Sequence, residues 1–398
     1  MVQTAGAAAA FALVPDLSAA ALPVQDAPLR VGLVGAGRQG RAIVAEFQKL
    51  PGVELAAVCD TAPGRLESMV GRVKGAEGFP DHRALLDKRP EVTAVVVATP
   101  THLHRAIVED ALGAGRHVYC ESPLASTIDD CQAIAAAAAG ATTVCHVGFQ
   151  GRSNPTYKRA QTLVRTELRQ LVMMEAQHHR KTSWRFPASD PSQERAVNWR
   201  LDPEISTGLA GEVGAQQFDV VHWMAGSYPT RVEGRGGVRF HRDGRTVADT
   251  IDLDLVWPDG GVLKYHATLA NSYGGQAEVF HGVNGSIRLA WSHGWLFKEP
   301  DAPTQGWEVY ATRQQHFGDE GIVLIANATQ LAAQGDLKSG IGLPHPSLYY
   351  ALEDFVRSVT SGAAVACSAE EGARATIVGI LANRSAVNGE PVDVPAFG

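Results

Sequence analysis

A glycine-rich turn constrains this chain more than any other feature. Leu29-Arg-Val-Gly-Leu-Val34 leads into Gly35-x-Gly37-x-x-Gly40, and a second apolar run, Glu54-Leu-Ala-Ala-Val-Cys59, ends on Asp60. The order is strand, phosphate-binding turn, helix, strand, carboxylate. Gly35 permits the tight turn, Gly37 lets the backbone approach a pyrophosphate, and Gly40 lets the helix pack closely on the strand. The start of the helix adds unpaired N–H groups and a partial positive charge. Asp60 is placed to accept hydrogen bonds from the hydroxyls of an adenosine ribose. A glycine turn in some other α/β protein leaves the spacing of Asp60 unexplained, so the unit predicts a dinucleotide site.

At 398 residues the chain is too long for one growing core and predicts two domains. Its net charge of -7 comes without any basic stripe, which argues against a nucleic-acid partner. The five cysteines, Cys59, Cys120, Cys131, Cys145 and Cys367, are scattered and form no C-x-x-C pair. They read as small core residues, and neither a metal site nor a disulfide framework is expected. Residues 1–28 stand apart. Their alanine-rich apolar run and small residues resemble the apolar and cleavage regions of an export leader, but no Lys or Arg precedes Arg30. The run is too short to anchor in a bilayer, so no membrane span is expected. A leader-like or flexible segment is the expectation: cytoplasmic as the chain stands, periplasmic or exported if it belongs to a longer signal.

Residues 29–150 read as alternating β and α. Ala94-Val-Val-Val-Ala-Thr-Pro100 is a buried parallel strand by its continuous apolar run. A helix over 102–114, a strand over 117–121, a helix over 127–139 capped by Thr127 and a strand over 142–147 follow. Such alternation calls for an α/β fold with a doubly wound parallel sheet and ligands at the carboxyl ends of its strands. Thr99, Pro100, His102, Glu121 and Ser122 all lie at such ends. Residues 151–398 form the second domain. Helices are expected over 154–168 and 208–223, and a strand over 172–179. Alternating strands over 250–256, 261–269, 276–282 and 286–291 build an open antiparallel sheet. The stretch 300–340 reads as an irregular insertion. Two helices close the chain, over 346–359 with a cap at 345–347 and over 369–386, the last returning to the first domain.

Six landmarks carry a family resemblance. They are Gly35-Ala-Gly-Arg-Gln-Gly40, Cys59-Asp60, Ala98-Thr-Pro-Thr-His102, Gly115-Arg-His-Val-Tyr-Cys-Glu-Ser-Pro-Leu124, Val147-Gly-Phe-Gln-Gly-Arg-Ser-Asn-Pro155 and Gly211-Glu-Val-Gly-Ala-Gln-Gln-Phe-Asp219. In order and spacing they resemble the family named for glucose–fructose oxidoreductase, inositol dehydrogenase and the rhizopine-catabolism protein. The resemblance implies a Rossmann domain that binds NAD or NADP. It also implies a C-terminal α/β domain with an open, mostly antiparallel sheet, whose face often serves oligomerisation, hence a homodimer or homotetramer. Substrates are sugars, cyclitols or their derivatives, with a secondary hydroxyl oxidised by hydride transfer. The cofactor-binding set is then Gly35, Gly37, Arg38, Gln39, Gly40, Asp60, Thr99, Pro100, His102 and Glu121. NAD is expected over NADP, because Asp60 repels a 2′-phosphate and no basic residue directly follows it. Arg65 is the one nearby cation able to swing in.

The departures from the family are as informative. Its dehydrogenases read Glu-Lys-Pro where this chain reads Glu121-Ser122-Pro123, and the lysine holds the reacting hydroxyl. The second-domain helix of the family presents Asp and, four residues on, His. Here those positions are Glu212 and Gln216, and glutamine can orient a hydroxyl but cannot accept its proton. Glu212 is the first alternative base. His178 and His179 come next, and strand alternation lets only one of them face a cleft. Trp199 and Arg200, in Asn198-Trp-Arg-Leu-Asp202, are candidates for a sugar platform and a polar clamp. Tyr157 is the remaining substrate-contact candidate, with helix packing as its plainer reading. Three classes stay open: an NAD-dependent dehydrogenase of a carbohydrate hydroxyl, a redox-neutral enzyme that retains NAD for glycoside elimination or epimerisation, and a cofactor-binding protein with a degenerate site.

Overall fold

Continuous aliphatic runs become the first sheet. In the computed structural model, which describes residues 27–397 apart from 189, 317, 327, 329–330 and 332–339, six strands lie parallel. Residues 1–26 of the leader-like segment lie outside the described residues. The strands are β1 Leu29–Val34, β2 Val53–Cys59, β3 Glu77–Phe79, β4 Ala94–Val97, β5 His117–Cys120 and β6 Cys145–Val147, in the order β3-β2-β1-β4-β5-β6. All four residues of β4 are buried, because helices cover both faces of a parallel sheet. Those helices are α1 Arg38–Phe47, α2 Pro63–Val70, α3 His82–Lys88, α4 His104–Gly113 and α5 Ile128–Gly140. Thr127 caps α5 by accepting from the Asp130 amide at 3.1 Å. By contrast α1 starts at Gly37 with no side-chain cap, which leaves its first amides free for a ligand. The strand order reverses between β1 and β4, and a crevice opens there at their carboxyl ends.

The second sheet has ten strands among the described residues. They are β7 Leu171–His179, β8 Arg231–Gly237, β9 Thr250–Val256, β10 Val262–Thr268, β11 Gln276–Gly282, β12 Gly285–Ala290, β13 His293–Lys298, β14 Arg313–His316, β15 Asp319–Val323 and β16 Val392–Asp393. Alternate residues of β9 and β10 are buried, as expected of a sheet with one covered face. The sheet is mostly antiparallel, but β7 lies in its centre and pairs parallel to β10. The expectation of an irregular insertion at 300–340 is corrected in part: β14 and β15 pair there and extend the sheet at one edge, while 332–339 lie outside the described residues.

Helices tie the two sheets together. Asn154 caps α6 Pro155–Thr166 by accepting from the Thr156 and Tyr157 amides. A π-helical turn, Ala210–Gly214, runs into α7 Ala215–Ala225. The chain closes with α8 Ser347–Ser361 and α9 Ala369–Asn388. Pro346, with no side-chain bond, precedes α8 in place of the polar cap expected there. Leu348, Leu352 and Phe355 of α8 pack with Ile43 and Phe47 of α1, and Thr376 of α9 accepts from the Leu124 amide at 2.9 Å. Beneath the cleft, Arg152 meets both oxygens of Asp219 on α7 and also Glu371 on α9, at 2.7 Å. This buried network joins the end of the first sheet to both helices. All five cysteines are buried and free.

Candidate active site

The crevice is built by three glycines with different tasks. Gly35 has a φ of +107, and a Cβ there would meet the Ala98 carbonyl oxygen at 2.5 Å. A Cβ on Gly40 would overlap the Gly35 carbonyl oxygen. Gly37 has an ordinary φ of -70, and a Cβ there would meet nothing within 4 Å. The chain itself has no need of glycine at 37; only a ligand pressed against the turn does. Asp60 is held beside it, with Oδ2 accepting from the Ala36 amide and Oδ1 from the Ala62 amide, both at 2.8 Å. Each oxygen keeps a lone pair for a ribose hydroxyl.

Polar atoms around the crevice are buried without partners. They include Thr99 Oγ1, His102 Nδ1 and Glu121 Oε1. Buried polar groups are nearly always hydrogen-bonded, so these mark where a polar ligand belongs. Burial pushes the Glu121 carboxyl up to about 7. Arg38 and Gln39 are exposed on the first turn of α1, and Pro100 opens the short turn that carries His102. A nicotinamide dinucleotide fits this set: an uncapped helix start and Gly37 for its pyrophosphate, Asp60 for the adenosine ribose, and orphaned atoms at the ends of β4 and β5. Calorimetry is expected to give NAD tighter than NADP by about a hundredfold, since a 2′-phosphate facing the Asp60 carboxylate costs several kcal/mol. Equal affinity for the two overturns the role given to Asp60.

The two residues that depart from the family pattern touch across the domains. Gln216 Nε2 donates to Ser122 Oγ at 2.6 Å and to the Gly148 carbonyl at 3.1 Å, and Ser122 Oγ donates to the same carbonyl at 3.2 Å. Gln216 Oε1 is left buried and without a partner. Glu212 does not join them as a free base. Its side chain is fully buried, Oε2 accepts from Arg200 Nε at 2.9 Å, and Oε1 accepts from Thr207 Oγ1 at 2.8 Å. The expectation for Glu212 is corrected accordingly: both oxygens are committed, and an ion pair holds the group as an anchored carboxylate.

The two strand histidines part company, as alternation requires. His178 lies opposite Gln276 of β11 on the face that α6 and α7 cover, and its Nδ1 is buried without a partner. Burial, with Arg180 and His179 nearby, pushes its imidazole down to about 4. His179 is corrected as a site residue. It lies on the outer face, with Nδ1 donating to the Tyr273 carbonyl at 2.7 Å and Nε2 bonded to His266 at 2.9 Å. Tyr157 is corrected as well: it is wholly buried, and its hydroxyl donates to Glu278 at 2.5 Å and accepts from the Trp291 amide. No edge remains for a substrate. Trp199 is buried too, with the Arg200 guanidinium 4.5 Å from its ring centroid and His102 at 6.1 Å, so it supports its neighbours and offers no open platform. Arg200 is half-buried and serves as the clamp on Glu212. Sequence reasoning missed Thr207 and the Gly148 carbonyl. Neither carries a signal of its own, because each acts only through a side chain brought from elsewhere.

The chain is similar to known proteins over most of its length. The family profile described as oxidoreductase family, NAD-binding Rossmann fold matches residues 29–149, and its companion, the C-terminal alpha/beta domain, matches 165–394. Levoglucosan dehydrogenase of Pseudarthrobacter phenanthrenivorans is 25% identical, over 92% of this chain and 98% of its own. Inositol 2-dehydrogenase of Acidothermus cellulolyticus is 27% identical, over 94% and 98%. Among solved structures, an oxidoreductase domain protein from Kribbella flavida superposes with a TM-score of 0.75 at 22% identity, covering 93% of this chain and all 100% of that one. A levoglucosan dehydrogenase in complex with NADH and levoglucosan gives 0.74 at 20% identity, with coverage of 93% and 100%. At these identities the structural likeness speaks for the fold.

Proposed function

The chain belongs to the Gfo/Idh/MocA oxidoreductase family, and from that premise we propose that it oxidises a secondary hydroxyl of a sugar, glycoside or cyclitol with NAD, whose nicotinamide ring accepts the hydride. The observation that carries this reading is the contact between Ser122 and Gln216 across the domains, with the orphaned atoms Gln216 Oε1 and Glu121 Oε1 on the same residue and on the neighbour of Ser122. Gln216 Oε1 accepts from the reacting hydroxyl and fixes its direction. His178 Nδ1 takes the proton, since its basic atom is free while both Glu212 oxygens are bound. Glu212 in turn holds Arg200 against Trp199. Similarity to proteins named levoglucosan dehydrogenase and inositol 2-dehydrogenase supports a carbohydrate or cyclitol as substrate. The outer face of the second sheet, where Trp295 stacks between His293 and His316, is our choice for the contact of a homodimer or homotetramer.

One observation favours a redox-neutral variant of the same chemistry. The Arg38 guanidinium lies 5.1 Å from the Phe186 ring centroid, so the second domain reaches over the start of α1. A cofactor beneath that contact leaves slowly, which suits an enzyme that takes back its hydride. Two measurements decide. Absorbance of the purified protein reads bound nicotinamide, and a panel of sugars, cyclitols and aryl glycosides is then supplied with and without NAD. Reduction of added NAD by a carbohydrate is the expected result. Cleavage of an aryl glycoside without added NAD moves the assignment to the redox-neutral variant. A protein that binds no nicotinamide cofactor sinks both and leaves the degenerate site.

A further inference from the structure

Cations gather in the cleft in excess of the groups that match them. Arg38 and Arg41 lie on the first turn of α1, where the pyrophosphate of a dinucleotide brings one negative charge per phosphate. Arg200 is matched by Glu212 at 2.9 Å. Arg180 is left over. It is exposed, and among the described residues its side chain has no hydrogen bond or ion pair. It stands two residues beyond His178, so strand alternation turns it to the same side as the orphaned His178 Nδ1. It is also close enough to Arg38, across the cleft, to count with burial and Arg200 among the causes that lower the Arg38 guanidinium. Its own domain supplies the cover here, with Phe186 over Arg38 and Trp184 within 5.9 Å of the Arg200 guanidinium. An exposed guanidinium that no carboxylate matches, near enough with Arg200 and Arg41 to act on Arg38, adds to a local excess of positive charge that favours an anion.

We infer that the carbohydrate this site takes carries an acidic group, a carboxylate or a phosphate, and that Arg180 is the specificity-determining residue that binds it. This rests on the oxidoreductase reading above and narrows its substrate class. A sugar acid bound there presents its carboxylate to Arg180 and a ring hydroxyl to Gln216 Oε1 and His178 Nδ1. Arg180 touches no reacting atom in this arrangement; it selects and orients.

The test uses the full chain loaded with NADH and reads binding by calorimetry, so that it does not depend on turnover. Neutral sugars are paired with their charged counterparts: glucose with glucuronate and glucose 6-phosphate, galactose with galacturonate. The charged members are expected to bind about tenfold or more tighter, as one charge-assisted contact implies. The preference is expected to vanish in Arg180→Gln, to survive in part in Arg180→Lys, and to weaken with added salt. The carboxylate and phosphate pairs tell which anion fits. Neutral sugars binding as well as the acids overturns the inference, as does a preference that survives Arg180→Gln. Loss of NADH affinity in Arg180→Gln with the sugar preference intact also overturns it, and gives Arg180 to the cofactor. Failure of the underlying reading is visible earlier, as a protein that does not load with NADH.

Discussion

Gly37→Val is expected to abolish NAD binding while the fold stands. The three glycines of the turn separate cleanly by what a side chain would strike. At Gly35 it strikes the Ala98 backbone and also needs a φ of +107, and at Gly40 it strikes the Gly35 carbonyl. Those two glycines serve the strand-turn-helix junction itself. At Gly37 the φ is -70 and nothing stands within 4 Å. Valine there adds its branches where a pyrophosphate would meet the free amides of α1, at the cost of charge-assisted hydrogen bonds worth about 1.5–3 kcal/mol each. Losing two of them raises the dissociation constant by roughly a hundredfold to ten-thousandfold. The thermal midpoint without ligand should stay within about two degrees of the parent, as for a substitution that touches nothing. Gly40→Ala is the opposite control, with a lowered midpoint before any ligand is added. The measurement is calorimetric titration of NAD alongside thermal unfolding of both variants. Affinity within a few fold of the parent in Gly37→Val means the turn does not hold the pyrophosphate.

How far the sequence carries depends on the separation between interacting residues. The first sheet was legible because a strand such as Ala94–Val97 is apolar at every position, and because the turn and Asp60 sit within one local unit. The strands of the second sheet were legible from alternation in β9 and β10. What periodicity does not hold is pairing between distant positions. Gln216 meets Ser122 from 94 residues away, and Arg152 meets Glu371 from 219 away. The fate of Glu212 turned on Arg200 and Thr207, near in sequence but joined to it through side-chain contacts that no hydrophobic pattern announces. His178 and His179 are the intermediate case. Alternation states that they face opposite ways, but the direction was fixed only once β7 proved central, between β10 and β11. The short β14 and β15 pair was hidden for a related reason: Arg313–His316 is polar throughout and carries no apolar stripe to mark an edge strand.

His178→Asn is expected to cut kcat by about a hundredfold or more and leave NAD affinity unchanged, while His179→Asn does neither. The two residues are adjacent, yet one has a free buried Nδ1 and the other spends both nitrogens on Tyr273 and His266 on the outer face. Asparagine keeps a polar head of similar reach but cannot take a proton, so the pair separates proton transfer from packing. The pH profile gives an independent reading. Burial, Arg180 and His179 hold the His178 imidazole down at about 4, so the proton-free form that accepts is the resting form at neutral pH. Activity should therefore hold as pH falls through 6.5, where an ordinary histidine would charge, and decline only as it approaches about 4. Glu121 makes the opposite demand. Its carboxyl is pushed up to about 7, so a reaction that used it as base would lose rate on the acid side of neutrality. Retention of more than about a tenth of parental kcat in His178→Asn, together with an acid limb near 7, moves the proton from His178 to Glu121 Oε1.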